Sequence, residues 1–301
     1  MSSSLGDFSK AVADVIGAVQ ASVVGVGPAG SGVVVGDGLV VTNAHNIRAD
    51  VAVTFADGRV ATATVAGADL DGDLAVLSVD TAGAPAVTWS EGDVELGEVV
   101  VGLGRPGGRS LRTGVGFITG LGLSFRGPEG RTVSGALEHS APLAHGSSGG
   151  PVVDSDGRLV GINTHRPGEG FYLALPAGTE LKARVEALGR GESPRRIRLG
   201  VALAPPKVAR RLRHAVGLPA RDGLLVHAVE ESGPAARAGI RRGDLIVSVG
   251  GTPVTTVEEL AAALVTAADA GSADLLVVRG TDELAVAVQF DQGGTSEQGS
   301  A

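Results

Sequence analysis

Cysteine is absent from this 301-residue chain, and aromatic residues make up only 3% of it. The absence of cysteine excludes disulfides, thiolate nucleophiles, iron–sulfur clusters and cysteine-ligated zinc. None of the six histidines forms a metal-binding pattern such as H-E-x-x-H, so the sequence predicts no metal and no cofactor. With 25 basic against 33 acidic residues, the formal net charge is -8, which disfavours nucleic acid or an anionic membrane as the main partner.

Long apolar runs are also missing. The N-terminal segment MSSSLGDFSK contains no basic stretch that leads into an apolar run. The uncharged stretch from Val15 to Gly36 contains six glycines and Pro28, whereas a membrane span is more uniformly apolar. We therefore expect no membrane segment and, for the chain as written, a cytoplasmic location. A truncated N-terminus would leave a periplasmic or other extracytoplasmic location open.

Glycine, in contrast, is abundant, with 48 residues, and hydrophobic residues make up 43% of the chain. Apolar residues from Leu5 to Val19 recur at helical spacing and predict an amphipathic helix. Between Ser22 and Pro176, short valine-rich runs alternate with turns. Several of these turns contain the hairpin-favouring Asp-Gly dipeptide: Asp37-Gly38, Asp57-Gly58 and Asp156-Gly157. Many short strands separated in this way predict an all-β barrel or sandwich.

The composition changes after this β-rich region. The segment GRGESPRR, residues 189–196, is small, polar and basic, and we interpret it as a linker between domains of residues 1–188 and 197–290. The second domain mixes helical spacing with apolar strand-like runs, which predicts a small α+β fold. Within it, Thr256 followed by Glu259 predicts a capping box at the start of a helix. We expect the polar tail, residues 291–301, to be disordered.

The segment GSSGGP, Gly146 to Pro151, carries the clearest chemical signal. A glycine-rich turn can expose a serine and aim backbone amides at one point. Acyl transfer needs both features, a nucleophile and hydrogen-bond donors where the oxyanion develops. A serine hydroxyl needs a base, and His45 and Asp73 lie upstream, each next to a predicted strand. Each signal alone has an ordinary structural explanation, as a flexible turn, a buried histidine or a turn aspartate. Together, their order matches the Ser-His-Asp triad of chymotrypsin-like barrels.

These residues resemble the HtrA/Deg family, trypsin-like serine proteases that carry a C-terminal PDZ domain. Thr42-Asn43-Ala44-His45 fits the TN-x-H motif of the base, and Asp73-Leu74-Ala75-Val76-Leu77 fits the motif of the orienting acid. The GNSGGP motif becomes GSSGGP, which selects Ser148 over Ser147 as the nucleophile. The resemblance implies a mainly β protein with a chymotrypsin-like double β-barrel. It also implies backbone oxyanion donors at Gly146, Ser147 and Ser148.

The second domain resembles a bacterial PDZ domain. Arg198-Leu199-Gly200-Val201 is similar to the carboxylate-binding loop, and the stretches 233–240 and 243–246 match the family's G-x-A-A-x-A-G-[LI] and G-D-x-I motifs. Glu258 to Ala267 would form the other wall of the peptide groove. The resemblance implies protein or peptide substrates, in particular unfolded or damaged proteins, with C-termini or extended segments captured by this domain.

The sequence departs from the family pattern around the nucleophile. The segment before Ser148 reads HSAPLAHG instead of TDAAINPG, and Leu143 within it is expected to line the primary specificity pocket and favour small aliphatic side chains. Asn46 stands where valine usually follows the base. The resemblance implies a homotrimer. N-terminal aromatic residues support the trimer in the family, and this sequence has only Phe8 there. The altered loop keeps an alternative open, namely an inert PDZ-bearing chaperone or scaffold.

Overall fold

A computed structural model of the chain describes residues 4–48, 51–127, 132–166, 168, 170–194, 199–204, 206–268 and 271–290. The chain divides into two units, residues 1–194 and 195–301. Arg198, the end of the expected linker and the expected disordered tail, residues 291–301, lie outside the described residues. No helix among the residues with a described position combines the length and the apolar character needed to span a bilayer.

The first unit contains two closed six-stranded barrels, which confirms the expected double-barrel fold. In the first barrel the strand order is β1-β2-β3-β6-β5-β4, and in the second it is β10-β11-β12-β9-β8-β7. The strands are β1 (Val23–Val26), β2 (Gly30–Gly36), β3 (Leu39–Thr42), β4 (Val51–Thr54), β5 (Val60–Asp69), β6 (Leu74–Ser78), β7 (Val99–Gly104), β8 (Arg112–Arg126), β9 (Thr132–His139), β10 (Pro151–Val153), β11 (Leu159–Asn163) and β12 (Tyr172–Pro176).

The Asp-Gly dipeptides lie between paired strands, as the sequence predicts. Asp37-Gly38 connects β2 to β3, Asp57-Gly58 lies between β4 and β5, and Asp156-Gly157 lies between β10 and β11. Because both partners of each pair run antiparallel, a short polar turn is enough to reverse the chain.

Two helices complete the first unit: α1 (Ser4–Val19), which confirms the predicted N-terminal helix, and α2 (Thr179–Gly189). Val19 of α1 and Leu188 of α2 belong to the same buried cluster as Leu74 of the first barrel and Leu103 of the second. Burial of such aliphatic side chains contributes about 1.5–3 kcal/mol each. The two barrels therefore share a core, which fixes the loops that meet between them.

The described residues of the second unit form one sheet and three helices, which confirms the predicted α+β class. The strands are β13 (Val201–Leu203), β14 (Leu224–Val229), β15 (Leu245–Val249), β16 (Thr252–Pro253), β17 (Ser272–Arg279) and β18 (Asp282–Gln289), in the order β13-β14-β15-β17-β18 with β16 paired to β15. The helices are α3 (Pro206–Ala215), α4 (Pro234–Arg237) and α5 (Val257–Ala268). Leu260 and Leu264 of α5 pack in the core with Leu199.

The predicted capping box at the start of α5 is confirmed. The Thr256 hydroxyl accepts from the Glu259 amide at 3.1 Å, and the Glu259 carboxylate accepts from the Thr256 amide at 3.1 Å. The carboxylate also accepts from the Thr255 amide at 2.7 Å. These backbone hydrogen bonds, that of Thr255 first, lower the pKa of Glu259 below its usual value.

Candidate active site

Strand pairing brings His45 and Asp73 together. Strand β3 ends at Thr42, and His45 lies in the helical turn Ala44–Asn46 that follows it. Asp73 directly precedes β6, and β3 pairs with β6 so that Thr42 lies opposite Ala75. Two residues far apart in sequence therefore leave the same end of two neighbouring strands.

The Asp73 carboxylate is 1% exposed and holds the imidazole from one side. His45 Nδ1 lies 2.9 Å from both carboxylate oxygens, and the His45 backbone amide donates to Oδ1 at 3.2 Å. A carboxylate can only accept, so Nδ1 carries the proton and Nε2 presents a lone pair. His45 keeps 30% of its side chain exposed, which leaves that nitrogen accessible to a reacting group.

Two further side chains hold Asp73, and sequence motifs did not reveal their roles. The Thr164 hydroxyl donates to Oδ2 at 2.6 Å, and Asn43 Nδ2 donates to the Asp73 backbone carbonyl at 2.9 Å. Asp73 has φ of 51°, a conformation that aspartate tolerates better than most residues and that the Asn43 bond supports. Thr164 lies just beyond β11, next to the segment GIN, and nothing in its sequence context points to Asp73.

Ser148 lies on a tight turn between β9 and β10. Gly146 and Gly149 flank it with φ of 86° and 88°. A Cβ on Gly146 would collide with the Ala29 carbonyl, and one on Gly149 with the Ser31 carbonyl. Both glycines are thus required by backbone conformation and by close packing against the first barrel. This is the physical basis of the glycine-rich pattern in GSSGGP.

The Ser148 hydroxyl donates to the Thr164 backbone carbonyl at 2.9 Å. Among the described contacts it makes no hydrogen bond to His45. Rotation about the Cα–Cβ bond is therefore needed before His45 can accept the hydroxyl proton. Catalytic hydrogen bonds are commonly long or unformed without substrate.

The backbone amides of Gly146, Ser147 and Ser148, which the resemblance implies as oxyanion donors, differ in their hydrogen bonding. The Ser147 amide donates to the Ala144 carbonyl at 3.2 Å, so it is occupied within its own turn. The amides of Gly146 and Ser148 have no such partner among the described residues. The turn that presents Ser148 thus uses the middle amide of the three to close itself.

A small cavity of about 70 Å³ lies beside Ser148. Leu143 and Tyr172 line it, and the Tyr172 hydroxyl donates to the Leu143 carbonyl at 3.3 Å. The full lining is Leu143, Ala144, His145, Gly146, Ser147, Ser148, Asn163, Thr164, His165, Arg166, Tyr172 and Leu173. The lining combines apolar and aromatic residues such as Leu143 and Tyr172 with polar or charged ones such as Asn163 and Arg166.

A buried His139–Asn163 pair supports this region from behind. His139 Nε2 lies 2.9 Å from Asn163 Oδ1, and Asn163 Nδ2 donates to the carbonyls of Gly150 and Pro151 at 3.0 and 3.2 Å. His139 also stacks on Tyr172, with 5.7 Å between ring centroids. Burial lowers the pKa of His139, although the Asn163 hydrogen bond and the charge of Glu138 act in the opposite direction.

In the second unit, Leu199 is buried and Gly200 adopts φ of 74° just before β13. Strand β13 is the edge strand of the sheet as described, with β14 on its inner side. An extended peptide can pair with such an edge through main-chain hydrogen bonds. Leu199, Gly200 and Val201, the predicted peptide-binding residues that the structure describes, lie at the start of this edge strand.

The double barrel and the His45–Asp73 arrangement beside Ser148 define a trypsin-like serine protease domain, followed by a PDZ domain. The profile of the trypsin-like peptidase domain matches residues 30–162, and that of the PDZ domain matches residues 225–279. DegS of Escherichia coli, a serine endoprotease, is 34% identical over 243 residues, which are 76% of this chain and 67% of that protein. The chain therefore belongs to the HtrA/Deg family of serine proteases, as the sequence motifs indicated.

Some other relatives are longer than this chain. The DegP-like protein of Halomonas elongata is 29% identical over 280 residues, or 90% of this chain, but the chain spans only 58% of that relative. A crystal structure of the serine endoprotease from Yersinia pestis covers 92% of this chain and 96% of its own, with 27% identity and a TM-score of 0.66. Because the chain spans only part of such relatives, we treat the activity, substrates and partners of the whole protein as proposals.

Proposed function

We propose that the chain is a serine endopeptidase in which Ser148 is the nucleophile, His45 the general base and Asp73 the residue that orients the base. The observation that carries this proposal is the short contact between His45 Nδ1 and the buried Asp73 carboxylate, next to a serine on a glycine-constrained turn. This contact fixes the tautomer in which Nε2 accepts a proton.

In the proposed reaction, the Ser148 hydroxyl turns from Thr164 toward His45 and attacks a peptide carbonyl. The proton moves from Oγ to His45 Nε2, and the carbonyl oxygen becomes an oxyanion facing the amides of Gly146 and Ser148. His45 then donates the proton to the leaving amine, which leaves an acyl-enzyme. A water molecule attacks this ester with His45 again as the base. The bond between the acyl carbon and Ser148 Oγ then breaks, His45 returns the proton to Oγ, and the product acid is released.

The proposed substrates are unfolded or damaged proteins, whose C-termini or extended segments bind along β13 of the PDZ domain. The edge position of β13 supports this mode, since it offers main-chain pairing without requiring one sequence. The cavity walls of Leu143 and Tyr172 support cleavage after small aliphatic residues. A homotrimer and the cellular compartment stay predictions. The DegP-like relative, of which the chain spans 58%, is named as a probable periplasmic protein.

The first experiment is labelling of the purified full chain with a fluorophosphonate probe, alongside His45→Ala and Ser148→Ala. We expect labelling of the parent and of neither variant. Labelling that survives Ser148→Ala would overturn the assignment of the nucleophile.

The Ser148 hydroxyl points toward Thr164 and not toward His45, which favours a second candidate function, a proteolytically inert chaperone or scaffold. The labelling is therefore repeated with C-terminal peptides added, since occupation of the PDZ domain can switch the site on. A folded parent that stays unlabelled and still suppresses aggregation, with or without Ser148, would establish this second function.

A further inference from the structure

Asn46 directly follows the proposed base, and its side-chain amide reaches the turn that carries the nucleophile. Nδ2 donates to the Ser148 backbone carbonyl at 2.9 Å and to Thr42 Oγ1 at 3.0 Å. A backbone carbonyl can only accept, so the atom that faces Ser148 must be the amide nitrogen and not Oδ1. Both amide protons are therefore used, and the side chain is held at two points.

The Ser148 carbonyl accepts a second hydrogen bond, from the Ser31 backbone amide at 3.0 Å. The Thr42 hydroxyl in turn donates to the Ser31 carbonyl at 2.7 Å. Ser31 and Asn46 thus donate to the Ser148 carbonyl, and the Thr42 hydroxyl links these two residues to each other. We call these three residues the carbonyl clamp.

The backbone next to the carbonyl clamp has no space for additional side-chain atoms at Gly30 and Gly149. An ideal Cβ on Gly30 would lie 2.5 Å from Asn46 Cγ, and one on Gly149 would lie 2.5 Å from Thr42 Oγ1. Gly30 and Gly149 are therefore needed for the amide of Asn46 to pack between the two barrels.

We propose that Asn46 is a positioning residue for the nucleophile. The Ser148 carbonyl belongs to the peptide unit after the nucleophile, so holding it fixes ψ of Ser148 and the direction of its Cα–Cβ bond. His45 and Asn46 share one helical turn, so a single short segment carries the base and holds the residue it must activate. The inference rests on the proposed function and predicts an effect on acylation, with little effect on substrate binding.

The first test replaces Asn46 by leucine, which has a similar shape and no donor. Acylation of the full chain by a fluorophosphonate should slow about tenfold, near the upper end of what one lost hydrogen bond causes. With labelled casein as substrate, kcat should fall while KM changes less than about twofold. Ser124→Ala, which removes an exposed hydroxyl contact to Ser134 on the second barrel, is the control and should leave both values unchanged.

The second test uses Asn46→Asp, which has the same shape but places an acceptor against the Ser148 carbonyl. The ionised carboxylate repels this carbonyl, whereas the protonated carboxyl can donate one hydrogen bond to it. The acylation rate of Asn46→Asp relative to the parent should therefore rise as the pH falls toward 5. Without the positioning role the ratio should not rise at low pH, because the new carboxylate beside His45 favours the protonated imidazole and by itself lowers the ratio as the pH falls.

Hydrogen exchange separates failure of this proposal from failure of the proposed function. Faster exchange of the Gly149 and Gly150 amides in Asn46→Leu, and not in Ser124→Ala, would support the carbonyl clamp even if the parent resists labelling. A labelled parent with equal acylation rates in folded Asn46→Leu would refute the positioning role while the protease assignment stands. Unchanged exchange together with an unlabelled parent would refute both.

Discussion

At the scale of single residues, the contacts that hold Asp73 also hold His45 in its orientation. The Asp73 carboxylate is buried and accepts hydrogen bonds from His45 and from the Thr164 hydroxyl. The backbone carbonyl of Asp73 accepts a hydrogen bond from Asn43. Hydrogen bonds to a buried charged group are worth about 1.5–3 kcal/mol, more than those between neutral groups. The orientation of His45 should thus respond to residues that never touch the substrate.

Replacement of Thr164 by valine tests this dependence. The variant keeps the side-chain shape but removes the 2.6 Å hydrogen bond to Asp73 Oδ2. The rate of fluorophosphonate acylation should fall about 10- to 100-fold, as expected from the free energy of a charge-assisted hydrogen bond. Thr164→Ser retains the hydroxyl and should keep most of the rate. Equal loss in both variants would show that the methyl group, and not the hydrogen bond, matters.

His139 gives the stability of the protein a predictable pH dependence. Burial lowers its folded-state pKa, so the folded protein keeps the imidazole neutral while the unfolded chain binds a proton near pH 6.5. The stability that this group contributes is complete above pH 6.5 and is lost as the pH falls through that value toward the lowered folded pKa. The buried Nδ1, which has no partner among the described residues, explains why a second proton is unfavourable.

We therefore compare denaturant unfolding of the parent and His139→Gln between pH 5 and pH 7.5. The unfolding free energy of the parent should fall more steeply with decreasing pH, by at most about 1.4 kcal/mol per pH unit, the limit for one proton. Glu138 and the other titrating groups are common to both proteins, so the difference between the two slopes isolates His139. Parallel curves would contradict the prediction.

At the scale of elements, helix α5 depends on its capping box for an ordered start. Thr256→Ala removes the hydroxyl that accepts from the Glu259 amide and should cost about 1 kcal/mol of unfolding free energy. Thr266→Ala on the same helix is the control, because its hydroxyl only bonds back to the Ala262 carbonyl and alanine favours helix. Urea unfolding measures both, and an equal loss in both would mean that the capping box contributes nothing.

At the scale of the whole molecule, each unit has buried clusters of its own. The large core of the barrels includes Leu74 and Leu103, and the PDZ core includes Leu264 and Leu275. A core substitution in one unit should therefore change the local stability of that unit and leave that of the other unchanged.

Leu264→Ala provides the test, since this side chain is 4% exposed in the PDZ core. The substitution should cost about 2–5 kcal/mol. Hydrogen exchange should accelerate in the β-strands of residues 195–301 and stay unchanged in the barrels. Val265→Ala, at a neighbouring position that is 56% exposed, should have little effect. Acceleration across both units would show that their stabilities are coupled.

The sequence by itself determined the elements and the order of the proposed reacting residues. Valine-rich alternation, the Asp-Gly turns and the Thr256–Glu259 pair depend on neighbours within a few residues, so local pattern is sufficient to predict them. His45, Asp73 and Ser148 were found because each lies in a short motif of its own.

Only the tertiary structure decided which distant groups hold those residues in place. The hydrogen bond of Thr164 to Asp73, the His139–Asn163 pair and the contact of Asn46 with the Ser148 carbonyl each join segments that are 24 to 102 residues apart. It also decided that the Ser147 amide closes its own turn and that the Ser148 hydroxyl faces Thr164. The physical reason is that hydrogen bonds act over about 3 Å in space, and closure of the two barrels sets those distances.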